Sequence, residues 1–95
     1  MKFVAIIEYG PDEAKIKSVH AAHREYLRRF LDNGQLFAAG PFAEGRGALW
    51  ILDAEDETAV DLIVKGDPFV AAGVIVDWKI RRLAYWSAQK AKGAK

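Results

Sequence analysis

The chain contains no cysteine. Disulfides, thiolate nucleophiles and zinc–sulfur centres are therefore excluded, and any chemistry must come from nitrogen and oxygen groups. An excess of either charge is also missing. The 14 Lys and Arg against 13 Asp and Glu leave a formal +1, which gives no reason to expect nucleic acid or an anionic membrane as partner. Long hydrophobic runs are absent as well: "MKFVAIIEYG" reaches Glu8 after the short apolar stretch Phe3–Ile7. That is too short for a signal-peptide core or a membrane span, so the expectation is a cytoplasmic protein. Glycine-rich phosphate loops, nucleophile elbows and Walker motifs do not occur, and no internal repeat is visible.

What remains is the composition of one folded domain. The 95 residues are 52% hydrophobic and 28% charged, which is ordinary for a globular chain and wrong for a disordered one. The domain is expected over residues 1–86, followed by a flexible polar tail at 87–95, "SAQKAKGAK", which holds Lys90, Lys92 and Lys95. A chain this small buries a modest share of its surface, and self-association is one way to enlarge its core.

Residues Phe3–Tyr9 read as a strand closed by Gly10-Pro11. Asp12 is a cap for a helix to about Asn33, with Gly34 as its stop. On that helix Ile16, Val19, His20, His23, Leu27, Phe30 and Leu31 share one side, while Lys17, Arg24, Glu25, Arg28 and Arg29 are expected to face water. A second strand fits Gln35–Phe42, broken near Gly40-Pro41, and "EGRG" supplies a hairpin into a third at Ala48–Ala54. A second helix fits "EDETAVDLIVKG", with Ala59, Leu62 and Ile63 inward and Gly66 at its end. Asp67–Gly73 reads as a short capped turn and Val74–Leu83 as a long strand, which Ala84–Trp86 extends or follows as an edge piece.

This order is βαββαβ, an α+β ferredoxin-like pattern: an antiparallel sheet with both helices on one face. The first strand is apolar on both sides, with Phe3, Ala5 and Ile7 against Val4 and Ile6, and so is the third, with Leu49 and Ile51 against Trp50 and Leu52. Two helices cover one face only, and a wet second face should alternate with polar residues. Leaving it bare would forgo roughly 1.5–3 kcal/mol for each large side chain. A homodimer with sheets packed face to face is the expected remedy.

The chemistry converges on one end of that sheet, where the topology brings the His20/His23 helix, the Gly40-Pro41 break and Asp67-Pro68-Phe69 together. His23 falls on the apolar stripe, where a histidine is either satisfied by a backbone carbonyl or paired for use. Asp67 is such a partner, since a carboxylate beside an imidazole fixes its tautomer and stabilises the imidazolium. Asp67 followed by proline is equally a helix cap, and one carboxylate can serve both roles. The reach is demanding, because His23 lies about 16 Å along its helix at 1.5 Å per residue. Trp50 and Trp78 read as sheet-face packing and Trp86 as a dimer contact. His20 and His23 with Asp67 make a weak metal pattern, and the expectation is no metal and no cofactor.

"HAAHREYLRRFLDNGQLFAAGPF", then "GDPFVAAGV" and "VDWKIRRL", together resemble the YciI-like (YCII-related) family across nearly the whole chain. The resemblance implies a dimeric α+β barrel similar to the muconolactone isomerases. It also implies an active site with His23 and Asp67 as catalytic residues and Gly40, Pro41 and Phe69 among the substrate contacts. Members often carry an arginine three residues before the histidine, where this chain has His20, so His20 takes that substrate-binding place. The function this implies is a cofactor-independent, dehydrochlorinase-like lyase or isomerase, using a His–Asp dyad on a small aromatic or lactone-like substrate. The alternative is a non-catalytic small-ligand-binding or accessory homodimer.

Overall fold

The computed structural model describes residues 1–87. The expected tail lies, apart from Ser87, outside the described residues. Strand β1 (Lys2–Tyr9) leads into helix α1 (Glu13–Asp32), strand β2 (Leu36–Pro41), strand β3 (Gly47–Asp53), helix α2 (Glu57–Lys65), the one-turn helix α3 (Pro68–Ala71) and strand β4 (Ile75–Arg82). The strands form one sheet in the order β2-β3-β1-β4, and all pairings are antiparallel. This is the ferredoxin-like α+β fold.

Local chemistry sets the helix limits. The Asp12 carboxylate accepts from the Lys15 N–H at 3.0 Å and opens α1, and Asp56 does the same for α2 through Ala59 at 2.8 Å. Gly34 takes the left-handed φ of 84° that a β-carbon disfavours and turns the chain from α1 into β2. Pro41 is tolerated inside β2 because that strand is at the sheet edge, where one backbone donor fewer costs no ladder bond on the outer side.

The core lies between sheet and helices. Phe3, Ala5 and Ile7 of β1 and Ala48, Trp50 and Leu52 of β3 are buried there, together with Val60, Ile63 and Val64 of α2. Leu62, expected inward, is 63% exposed. It is two residues from Val60, about 200° around the helix, and so points away from the Val60/Ile63/Val64 stripe. The indole N–H of Trp78 donates to Asp61 at 2.9 Å, tying β4 to α2, and Lys65 pairs with the same carboxylate at 2.9 Å. At the end of α2, Gly66 leaves room for the Tyr26 hydroxyl, which donates to the Ile63 carbonyl at 2.7 Å. Any β-carbon at position 66 would collide with that hydroxyl.

The other face of the sheet carries Val4, Ile6, Leu49 and Ile51, with Ile6 at 41% and Phe37 at 54% exposure. Among the described residues, one charged side chain is buried on this side. Lys2 faces Asp53 across the β1–β3 ladder, and its ammonium bonds the carboxylate at 2.6 Å. The same ammonium lies 4.6 Å from the Phe37 ring centre and 4.1 Å from that of Trp86, a cation held between two π faces. β4 ends at Arg82, so Ala84–Trp86 neither extend it nor add an edge strand. Instead, Trp86 turns its ring over Lys2 and beside Phe37.

Candidate active site

Asp67 follows Gly66 directly and caps α3, with Pro68 in the first helical position. Its two oxygens do different work. Oδ1 accepts the Phe69 N–H at 2.9 Å, and Oδ2 sits 2.6 Å from His23 Nδ1. Both side chains are out of water, with Asp67 at 1% and His23 at 7% exposure. The long reach is closed because α3 packs against the body of α1, so the aspartate meets the helix well away from its N-terminus. An ionised carboxylate only accepts, so with Asp67 ionised the hydrogen of this contact is carried by Nδ1, and a neutral ring then presents a lone pair at Nε2.

That nitrogen faces space. His23 Nε2 makes no hydrogen bond among the described residues, yet no buried side-chain nitrogen or oxygen among them lacks a partner. Nε2 is therefore open to solvent. The ring itself is pinned. Phe69 stacks on it with centres 3.9 Å apart and planes 5° from parallel. Tyr9 meets Phe69 edge-on at 5.7 Å, and Trp50 is tilted 6.5 Å from the imidazole on another side.

The space is a pocket of about 340 Å³ between α1 and the β2/β3 side of the sheet. α1 contributes His20, His23, Arg24, Leu27, Arg28 and Leu31, while Ala39, Gly40 and Pro41 of β2 form the facing wall. Ala48, Trp50 and Tyr9 complete it. A dry apolar cavity of about 150 Å³ accepts a benzene ring, so this volume suits a substituted single ring. Burial, and then the negative charge of Asp67, push the Tyr9 phenol above its ordinary range. It stays protonated as a neutral hydroxyl in the pocket wall.

His20, Gly40 and Pro41 line the same pocket as His23, with the two imidazole centres 6.1 Å apart. Phe69 is 1% exposed and sits behind His23, touching the imidazole and not the cavity. Trp50 packs on the sheet face and also lines the cavity. Of the lining residues not expected at the site from sequence, Tyr9, Arg24 and Arg28 bring a hydroxyl or a charge to it. The arginines, expected towards water, do reach solvent but flank the pocket. The available signal was their four-residue spacing from His20, which runs a second stripe along the flank of the buried one. Among the described residues, no group of three or more His, Asp and Glu is placed to hold a metal ion.

The ferredoxin-like fold is matched by comparison with known proteins. The YCII-related domain matches residues 1–84, and the chain belongs to that family. Among curated proteins it is 30% identical over 66 residues to the uncharacterized protein YjpA of Bacillus subtilis (strain 168), covering 65% of this chain and 78% of that one. Among solved structures it superposes on 5-chloro-2-hydroxyhydroquinone dehydrochlorinase (TftG) from Burkholderia phenoliruptrix AC1100, in complex with 2,5-dihydroxybenzoquinone. The TM-score is 0.77 at 23% identity, covering 90% of this chain and 96% of that chain. At that identity the likeness speaks for the fold. No helix among the described residues is long and apolar enough to cross a membrane.

Proposed function

We propose that this protein is a cofactor-independent enzyme of lyase or isomerase type in which His23 moves a proton on a small aromatic or lactone-like substrate. The observation that carries this reading is the 2.6 Å His23–Asp67 contact with Nε2 open to a pocket of about 340 Å³. Nε2 takes a proton from a hydroxyl or an activated carbon of the substrate, and Asp67 stabilises the imidazolium that forms. The electron pair left behind moves into the substrate's conjugated system. In a lyase acting on a chlorinated hydroxyhydroquinone, the carbon that bears chlorine takes up a proton to give the keto tautomer, and loss of a second hydroxyl proton then expels chloride, leaving a hydroxyquinone and HCl. In an isomerase the same proton returns to a different carbon. His20, Gly40 and Pro41 contact the substrate in this scheme. Phe69 acts at one remove, by holding the imidazole. The structural neighbour is a 5-chloro-2-hydroxyhydroquinone dehydrochlorinase, which supports the small-ring substrate class.

The test is a panel of chlorinated and unchlorinated hydroxyhydroquinones and unsaturated lactones in D2O, with chloride release and deuterium uptake followed by NMR. The wild type should catalyse one or the other, and His23→Asn should lower the rate by about 10²–10⁴-fold. Equal rates in the two proteins, or no turnover across the panel, would overturn the enzyme reading in favour of a ligand-binding role.

We further infer that the working unit is a homodimer closed through the open sheet face. Val4, Ile6, Leu49, Ile51 and Phe37 give that face an apolar surface, and a second copy covers it isologously. Sedimentation velocity should show a dimer for the wild type and a monomer for Ile6→Glu. A monomeric wild type at micromolar concentration would overturn it.

A further inference from the structure

The walls of the pocket are unequal in charge. His20, Arg24 and Arg28 follow one another at four-residue steps along α1, and all three line the cavity. No aspartate or glutamate does. Carboxylates that could neutralise the arginines are within helical reach: Glu25 is three residues from Arg28, and Asp32 is four beyond it. Neither forms an ion pair with them among the described residues. Arg24 and Arg28 likewise make no side-chain hydrogen bond there. Facing this cationic flank are small or apolar groups, Ala39, Gly40 and Pro41, and a β-carbon at Gly40 would meet nothing within 4 Å. The slot is uncharged on one side and carries on the other two guanidinium groups that have no ion-pair partner among the described residues.

We propose that Arg24 and Arg28 form the anion-recognition edge of the pocket, so that its ligands are small planar rings bearing a carboxylate or phenolate. The guanidinium fork matches a carboxylate with paired hydrogen bonds, which an ammonium of equal charge does not reproduce. The anionic group lies at the pocket mouth against Arg24 and Arg28, and the ring lies across the Ala39–Pro41 wall with an edge towards His23 Nε2. Charge therefore sets the direction in which the ring enters. Its unsubstituted or leaving-group edge is delivered to the base, and the opposite orientation would turn the anion towards the Nε2 lone pair and away from both guanidinium groups. This assignment rests on the pocket being the substrate site, and adds to that reading the charge class of what binds there.

Binding of benzoate and of benzamide, nearly identical in shape and different in charge, can be compared by NMR titration of the full chain. The wild type should bind benzoate at least ten-fold more tightly, with the preference shrinking as salt is raised because the arginines are solvent-exposed. Arg24→Gln/Arg28→Gln should abolish the preference, and Arg24→Lys/Arg28→Lys should keep only part of it. An unchanged circular dichroism spectrum would show that the variants fold. His23→Asn should retain the preference, because charge selection does not pass through the base. Equal affinity for the two probes, a preference that survives in the double glutamine variant, or no benzoate binding at millimolar concentration would each overturn the proposal. A charge preference retained alongside absent turnover would leave it standing while removing the catalytic reading.

Discussion

Replacing Asp67 by asparagine should invert the hydrogen-bonding character of the nitrogen that faces the pocket. The two oxygens of Asp67 are committed to different donors, the Phe69 N–H at 2.9 Å and His23 Nδ1 at 2.6 Å. In Asp67→Asn the backbone N–H still requires an acceptor, so the amide oxygen must stay on the α3 cap. The amide NH2 is then forced to face Nδ1. Two donors cannot share that contact, so the neutral imidazole moves its hydrogen to Nε2. The pocket then holds a donor where the wild type holds a lone pair, and a general base is lost without any atom of the ring being altered. Turnover should fall by about 10²–10⁴-fold, equivalent to about 3–5 kcal/mol of transition-state stabilisation. Stability should fall by less, about 1–1.5 kcal/mol, because one hydrogen bond to a charged group becomes a neutral one and the cap survives. Asp67→Ala should cost about 2 kcal/mol beyond that, through the lost cap and the lost bond to the His23 ring. Long-range 1H–15N spectra of the His23 ring read the tautomer directly, and urea titration reads the stability. If the wild-type ring carried its hydrogen on Nε2 alone, or if the asparagine variant kept the wild-type nitrogen pattern, the derivation would be refuted.

Other substitutions test the frame around the site. Tyr26→Phe removes the hydrogen bond to the Ile63 carbonyl and should lower unfolding free energy by about 1 kcal/mol in a urea titration. Gly66→Ala should destabilise by more than that, because the added methyl and the Tyr26 hydroxyl claim the same space; in the Tyr26→Phe background its cost should shrink. Bonds from Lys65 and Trp78 hold the Asp61 carboxyl below its ordinary range. Its folded-state value is the lower one, so its contribution is present above the ordinary carboxylate range and is lost as pH falls through the folded value. The melting-temperature gap between wild type and Asp61→Asn should therefore be open at neutral pH and close in acid. Trp50→Ala opens a cavity in the core beneath the pocket and should cost about 3–5 kcal/mol by the same titration.

The strands and long helices were legible because each rests on a short-range rule. The Asp12 cap, the Gly34 turn and the alternation in Phe3, Ala5 and Ile7 all leave a mark within a few residues. The meeting of His23 with Asp67 was expected from topology, but nothing local indicated how α3 would close the distance. That depends on how two helices cross, and crossing is set by packing. Leu62 was misplaced because hydrophobicity was taken for direction: a leucine two residues from Val60 cannot share its stripe. Arg24 and Arg28 were read as solvent-facing because charge predicts exposure. Both are exposed, and the pocket they flank was invisible from one helix alone, since its other wall is a strand edge. The end of β4 and the turn of Trp86 onto Lys2 escaped for a related reason, since that contact joins opposite ends of the described chain.

The stacking of Phe69 on His23 has a stereochemical consequence. An imidazole clamped flat by a phenyl ring and tethered at one nitrogen cannot swing round to address a bound molecule from above and below. Whatever hydrogen it removes, it can return only to the same side of the molecular plane. An isomerisation catalysed here would be suprafacial, and a deuterium taken from one face of a labelled substrate would reappear on that face in the product.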